Sequence, residues 1–297
     1  MLSAAGNVHA QTPGLIIKPH TATISPLDPN GDGFTAASIT GFQLNDLAES
    51  ELLFKDIPYV ALEPTGDLRR GPAGLYSDIV RDPSTGSGVG VYNDGTNLIF
   101  RMRLGGTVSG SKCYAILIDT DSKFGASGPN ADPNCLPQTT GVNGNPGFEI
   151  EIDLQTNFRV AVYNVDGISN PSVPTAAYAT PLNTQISLAL TATSGNPDFF
   201  YDWYVPLSDL TALGVTNSTP LRFAATTGMA PLPVVGGPKS DIFGIDDSEY
   251  SSTNDGWNAL VPNIPPVTFT NLTSGGSGFA AVCTNAPLID NPISVGS

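Results

Sequence analysis

The chain has 297 residues, 40% of them hydrophobic and only 13% charged, with 27 acidic residues against 12 basic ones and a formal net charge of −15. That length admits one large β domain or two smaller ones. The negative field repels phosphate backbones, so nucleic-acid binding is excluded as a main role. No stretch reaches the ~18 apolar residues of a transmembrane helix, so membrane insertion is not expected.

Glycine (32) and proline (26) are abundant, as in chains of short strands joined by tight turns. Residues 1–10 read as a signal-peptide remnant, because Val8-His9-Ala10 before Gln11 fits a small-x-small cleavage site. From Gln11 onward the pattern is extended, with a first strand at 15–18. Asp28-x-Asn30-x-Asp32-Gly33-Phe34 then has the spacing of the first half of a calcium loop. Oxygens at its positions 1, 3 and 5 converge on one ion, glycine permits the bend, and the Phe34 carbonyl points inward. Position 12 is Ile39, so another segment must complete the shell, with Asp46, Glu49 and Glu51 as candidates. The competing reading is a solvated Asx turn.

Residues 45–54 suit a short helix capped by Asn45 or Asp46. Residues 57–63 suit an edge strand, given Pro58. Residues 98–104 (LIFRMRL) alternate, with Phe100, Met102 and Leu104 on one face and Arg101 and Arg103 on the other. A buried run, 114–121, ends in Asp119 and Asp121; a loop rich in Gly, Pro, Asn and Asp follows; residues 148–154 (FEIEIDL) alternate apolar and acidic. Asp119, Asp121, Asp132 and Glu149, with Asn130, form the second candidate cation site, because clustered carboxylates repel unless protonated or cation-bound. Glu151 and Asp153 read as a solvated face. Cys113 and Cys135 are candidates for a disulfide across that loop, with Cys283 left over.

Further strands are expected at 158–164, 176–178, 185–193, 199–205 and 221–226, the last clear one, with a brief helix after Pro206 capped by Ser208. Along 199–205, Tyr201 and Trp203 read as core. Trp257 and Tyr250, in a polar acidic segment, are the candidates for an exposed sugar-stacking platform. No nucleophile elbow, P-loop or Cys/His metal spacing occurs, and a lone His20 would remain in the mature chain, so catalysis is not expected.

The reading is all-β: a jelly-roll-like antiparallel β-sandwich with long loops and at most two short helices. It occupies 11–262, and 263–297 are a linker and the start of a further β module. The strings LIFRMRL at 98–104, ILIDTD at 116–121, GPNADPN at 128–134, NPGFEIEI at 145–152 and YNVD at 163–166 together resemble the N-terminal region of large Bacteroidetes-type surface proteins. These are adhesin-like type IX secretion cargo, some associated with gliding motility. More distantly the layout is similar to family 9 carbohydrate-binding modules and DOMON-like sandwiches. The resemblance implies an extracellular, cell-surface, non-catalytic structural or adhesive module, stiffened by calcium. Its partner would be an outer-membrane or cell-surface protein, or other copies of itself in a filament. The alternative is a carbohydrate-binding module that takes a glycan as ligand.

Overall fold

The computed structural model describes residues 12–21, 25–68, 75–107, 110–139, 144–235, 237 and 239–273. Among them are two six-stranded antiparallel sheets. The strands are β1 (Ile16–Lys18), β2 (Lys55–Asp56), β3 (Val89–Asn93), β4 (Asn97–Leu104), β5 (Cys113–Asp119), β6 (Ile150–Gln155), β7 (Arg159–Asn164), β8 (Ala176–Ala179), β9 (Thr184–Thr193), β10 (Asn196–Pro206), β11 (Arg222–Gly228) and β12 (Lys239–Ile242). One sheet runs β1-β9-β10-β4-β3-β2 and the other β12-β11-β5-β6-β7-β8. The protein is therefore an all-β sandwich.

Period-two patterning explains the central core. Leu98, Phe100, Met102 and Leu104 of β4 face inward beside Tyr201, Trp203 and Val205 of β10. Ile116, Ile118, Ile152, Leu154 and Phe223 meet them from the other sheet. Phe100 lies 5.7 Å from Trp203, and Tyr114 meets Tyr201 edge-on at 4.8 Å. The expected core role of Tyr201 and Trp203 agrees with their burial.

The outer faces depart from expectation, because the chain covers both. The N-terminal segment lays Leu27, Phe42, Leu52 and Phe54 over the outward side of β4 and β10. There Arg101 stacks 4.3 Å from both the Phe54 and Phe200 rings and makes a two-pronged bond to Asp202, at 2.8 Å on each oxygen. Arg103 pairs with Asp46 at 2.7 Å. The later segment lays Val234, Val235, Ile245, Trp257, Leu260 and Ile264 over the outward side of the second sheet. Glu151 and Asp153 are consequently buried rather than solvated. Alternation places a side chain on a face; it does not say whether a distant segment covers that face.

Other boundaries also move. Residues 45–54 form turns, not a helix, because 35–37 and 49–51 bridge backbone to backbone, with Ala37 donating to Glu49 and Glu51 donating to Thr35. Residues 57–63 form no strand; only Lys55–Asp56 pairs with β3. A twelfth strand, β12, follows the last one expected. Among the described residues there are four short α-helices rather than at most two: α1 (Thr180–Asn183), α2 (Leu207–Ala212), α3 (Thr253–Leu260) and α4 (Phe269–Leu272). Pro206, not Ser208, stands at the N-cap of α2 and makes no side-chain cap bond.

The boundary expected at 262 lies too early. Val267 bridges Leu221, Phe269 and Leu272 enter the central core, and Lys55 donates to the carbonyls of Asn271 and Thr273. Residues 264–273 thus belong to the sandwich. The proposed signal remnant and the proposed start of a further module lie outside the described residues, apart from this stretch.

Candidate cation site

The Asp119 cluster is assembled by strand pairing. Asp119 ends β5, opposite Arg222 on β11, while Glu149 precedes β6 and donates its backbone N–H to Ile118. One carboxylate oxygen each from Asp119, Asp121 and Glu149 lies within 4.8 Å of the others. Asp119 Oδ1 accepts the amides of Asp121 (3.1 Å) and Ser122 (2.7 Å), a turn that holds Ser122 at φ 64°. Its Oδ2 accepts from Arg222 at 2.9 Å. Glu149 Oε2 accepts from the Thr120 amide at 2.6 Å. Burial, with Asp119 and Asp121 close by, pushes Glu149 up to about 8. Asp121 is exposed and pairs with Lys123 at 2.8 Å.

Asp132 lies outside this group of three among the described residues. Its Oδ1 accepts from the Asn134 amide, and Asn130 uses its carbonyl on Phe124. The predicted set is therefore brought together only in part. A hard cation there would have to share Asp119 with Arg222.

The 28–34 motif folds into a tight loop held by its own acids. Asp28 accepts from Gly31 (3.0 Å) and Gly33 (3.2 Å), Asn30 from Asp32 (2.8 Å), and Asp32 from Phe34 (2.8 Å). These are nested Asx turns, in which the carboxylates serve the loop's own amides. Of the expected completing acids, Glu51 arrives and accepts from Asn30 at 2.8 Å. Asp46 goes to Arg103, and Glu49 to the amides of Gln43, Leu44 and Asn45.

Two further expectations are corrected. Trp257 is 1% exposed on the inner side of α3, 5.3 Å from Phe148. Tyr250 is half-buried against the same cluster, so the pair makes no exposed platform. Cys113 and Cys135 are both free. Cys113 opens β5, the acidic loop leaves from the other end at Asp119, and strand length separates the two thiols. Cys283 lies outside the described residues.

The structure adds acids that spacing did not reveal. Glu63, Asp67 and Asp241 form a second group with oxygens within 4.8 Å of one another. More than 170 positions of sequence separate Asp67 from Asp241, so only the fold unites them. The local signal is slight: Glu63 ends the run Val60-Ala61-Leu62, and Asp241 precedes Ile242-Phe243.

Glu151 and Asp153 make a buried pair of a different kind. Both oxygens of Glu151 take backbone amides from Val234 and Val235, which fastens the outer layer to β6. Burial pushes Asp153 up to about 6, and pushes Glu151, beside it, well above the carboxylate range. The folded chain therefore holds a proton where the unfolded chain is ionised, and stability falls as pH rises from about 4, the unfolded range, through the folded values. Glu151→Gln removes that proton linkage. We expect its melting midpoint, measured in chelator, to fall less between pH 5 and 7 than the wild-type midpoint does; an equal or steeper fall contradicts the assignment.

Comparison of the chain with family models, curated proteins and solved structures found no match.

Proposed function

We propose that the protein is a non-catalytic structural or adhesive module of a bacterial cell surface, stiffened by calcium and docking to an outer-membrane partner or to copies of itself. One observation supports this most: buried carboxylates tie distant loops to the sandwich. Glu63 accepts from Gly244, Asp241 from Ile79, Glu151 from Val234, and Asp46 from Leu190, each across more than 80 residues of sequence. Such ties resist peeling of loops and edges, as a load-bearing body needs. Both outer sheet faces are already covered by the chain itself, so partners would meet loops and strand edges.

Antibody labelling of intact, unpermeabilised source cells tests the location. Labelling before permeabilisation is expected; labelling only after it overturns the reading. Calcium in the Asp119 cluster would relieve the burial of Glu149. At a hundredfold excess over Kd it stabilises by ~2.7 kcal/mol. Chelator is therefore expected to lower the melting temperature, and Asp119→Ala to reduce that sensitivity; a melt unchanged by chelator removes calcium from the reading.

A further inference from the structure

We propose that Glu63, Asp67 and Asp241, with Asp78 at the rim, form a buried binding site for a calcium-class divalent cation. The four acids come from three separate places. Glu63 and Asp67 lie in the loop after β2, Asp78 follows the short 3-10 turn Leu75–Ser77, and Asp241 is on β12.

Each carboxylate is held by one oxygen and bare at the other. Glu63 Oε2 accepts from the Gly244 amide, Asp67 Oδ2 from Asp247 at 3.3 Å, Asp78 Oδ1 from Gly66 at 3.1 Å, and Asp241 Oδ2 from Ile79 at 2.5 Å. The remaining oxygens, Glu63 Oε1, Asp67 Oδ1, Asp78 Oδ2 and Asp241 Oδ1, are buried with no hydrogen-bond partner. Glu63 is 1% exposed and Asp241 and Asp78 are 0% exposed. A buried acceptor without a partner costs about 1–3 kcal/mol, and more when charged, so several together need a common partner.

The donor set selects the ion. Among the described residues the metal-ligating side chains of the group are all carboxylates, and calcium takes oxygen ligands at 2.3–2.6 Å, so two ligands of one ion stand at most roughly 5 Å apart. The 4.8 Å span of Glu63, Asp67 and Asp241 fits within that. Among the described residues no His or Cys joins the group, which disfavours zinc and copper. Burial and mutual repulsion raise Glu63 and Asp241 well above the usual carboxylate range, a cost a divalent ion would remove. In the Asp119 cluster Arg222 and Lys123 bond the carboxylates themselves, whereas Arg81 donates to the main-chain carbonyl of Glu63, at 3.0 Å. A cation here would join the loop after β2, the 75–77 turn and β12 into one unit.

The inference shares with the proposed function only the choice of ion. Its test is equilibrium dialysis of the full chain against radiolabelled calcium chloride after chelator treatment, comparing the wild type with Asp67→Asn, Glu63→Gln and Asp119→Ala. Gln at 63 keeps an oxygen for the Gly244 amide and removes the charge. We expect Glu63→Gln and Asp67→Asn each to weaken one calcium site at least a hundredfold. We also expect both to melt at or above the wild type in chelator, because they relieve repulsion. Asp67, the least buried of the three, keeps the test valid if Glu63→Gln fails to fold. Unchanged calcium stoichiometry and affinity in Asp67→Asn overturn the proposal, as does a wild type that binds no calcium, in which case protons neutralise the acids. Loss of calcium in Asp119→Ala alone overturns this site and leaves the surface-module reading standing.

Discussion

Replacing Arg101 with alanine is expected to destabilise the fold by about 3–5 kcal/mol, since removing one partner of a buried ion pair strands the other charge. Arg101 is 6% exposed, and its guanidinium spends its donors on Asp202, at 2.8 Å twice, and on Ser50 Oγ at 2.6 Å. Its faces pack on Phe54 and Phe200, so the alanine variant also loses contacts between the N-terminal layer and the sheet. At roughly 2–4 °C per kcal/mol for a domain of this size, the melting midpoint should drop by about 10 °C. The double variant Arg101→Leu/Asp202→Leu removes both charges and should lose less than the sum of the single changes. Thermal melts of the wild type, Arg101→Ala, Arg101→Leu, Asp202→Leu and the double variant decide this. A single variant within 1 kcal/mol of the wild type would mean that the N-terminal layer is not held by this pair.

Trp257→Ala should cost a comparable ~3–5 kcal/mol, the range for deleting a buried aromatic ring. The indole fills the space between α3 and Phe148, and the same side of the helix buries Asn254, Gly256 and Leu260. Gly256 sits so close to Ile245 that an added Cβ would lie 2.9 Å from it, which shows how tightly this helix is seated. Because Trp203 and Trp257 are 0% and 1% exposed, tryptophan fluorescence should be blue-shifted and poorly quenched by acrylamide. A Trp257→Ala protein that melts with the wild type yet loses binding on a glycan array would restore the carbohydrate-binding alternative. Tyr250→Ala, at the half-buried edge of the same cluster, should cost less.

The strands of this protein were legible in its sequence because a half-buried strand repeats every two residues. The alternation of 98–104 and 199–205 predicted two strands that pair with Phe100 opposite Trp203, and the run from 114 predicted β5. The Asp119 end of that strand was also readable as a meeting point with Glu149, because an acidic loop joins two strands that pair.

What the sequence alone could not determine was the outer layers. Arg101, Arg103, Glu151 and Asp153 look solvent-facing by alternation, but segments 27–54 and 234–264 fold back over them. Coverage is a long-range property: it depends on where a distant segment lands, and no local period encodes that. The same reason moved Trp257 from a surface to a core and the end of the sandwich past 262. It also united Glu63 with Asp241, which lie far apart in sequence and meet only because the loop after β2 and strand β12 arrive at one edge. Short-range patterning thus determined the two sheets, whereas tertiary packing decided which acids and arginines are buried, and therefore where a cation would be held.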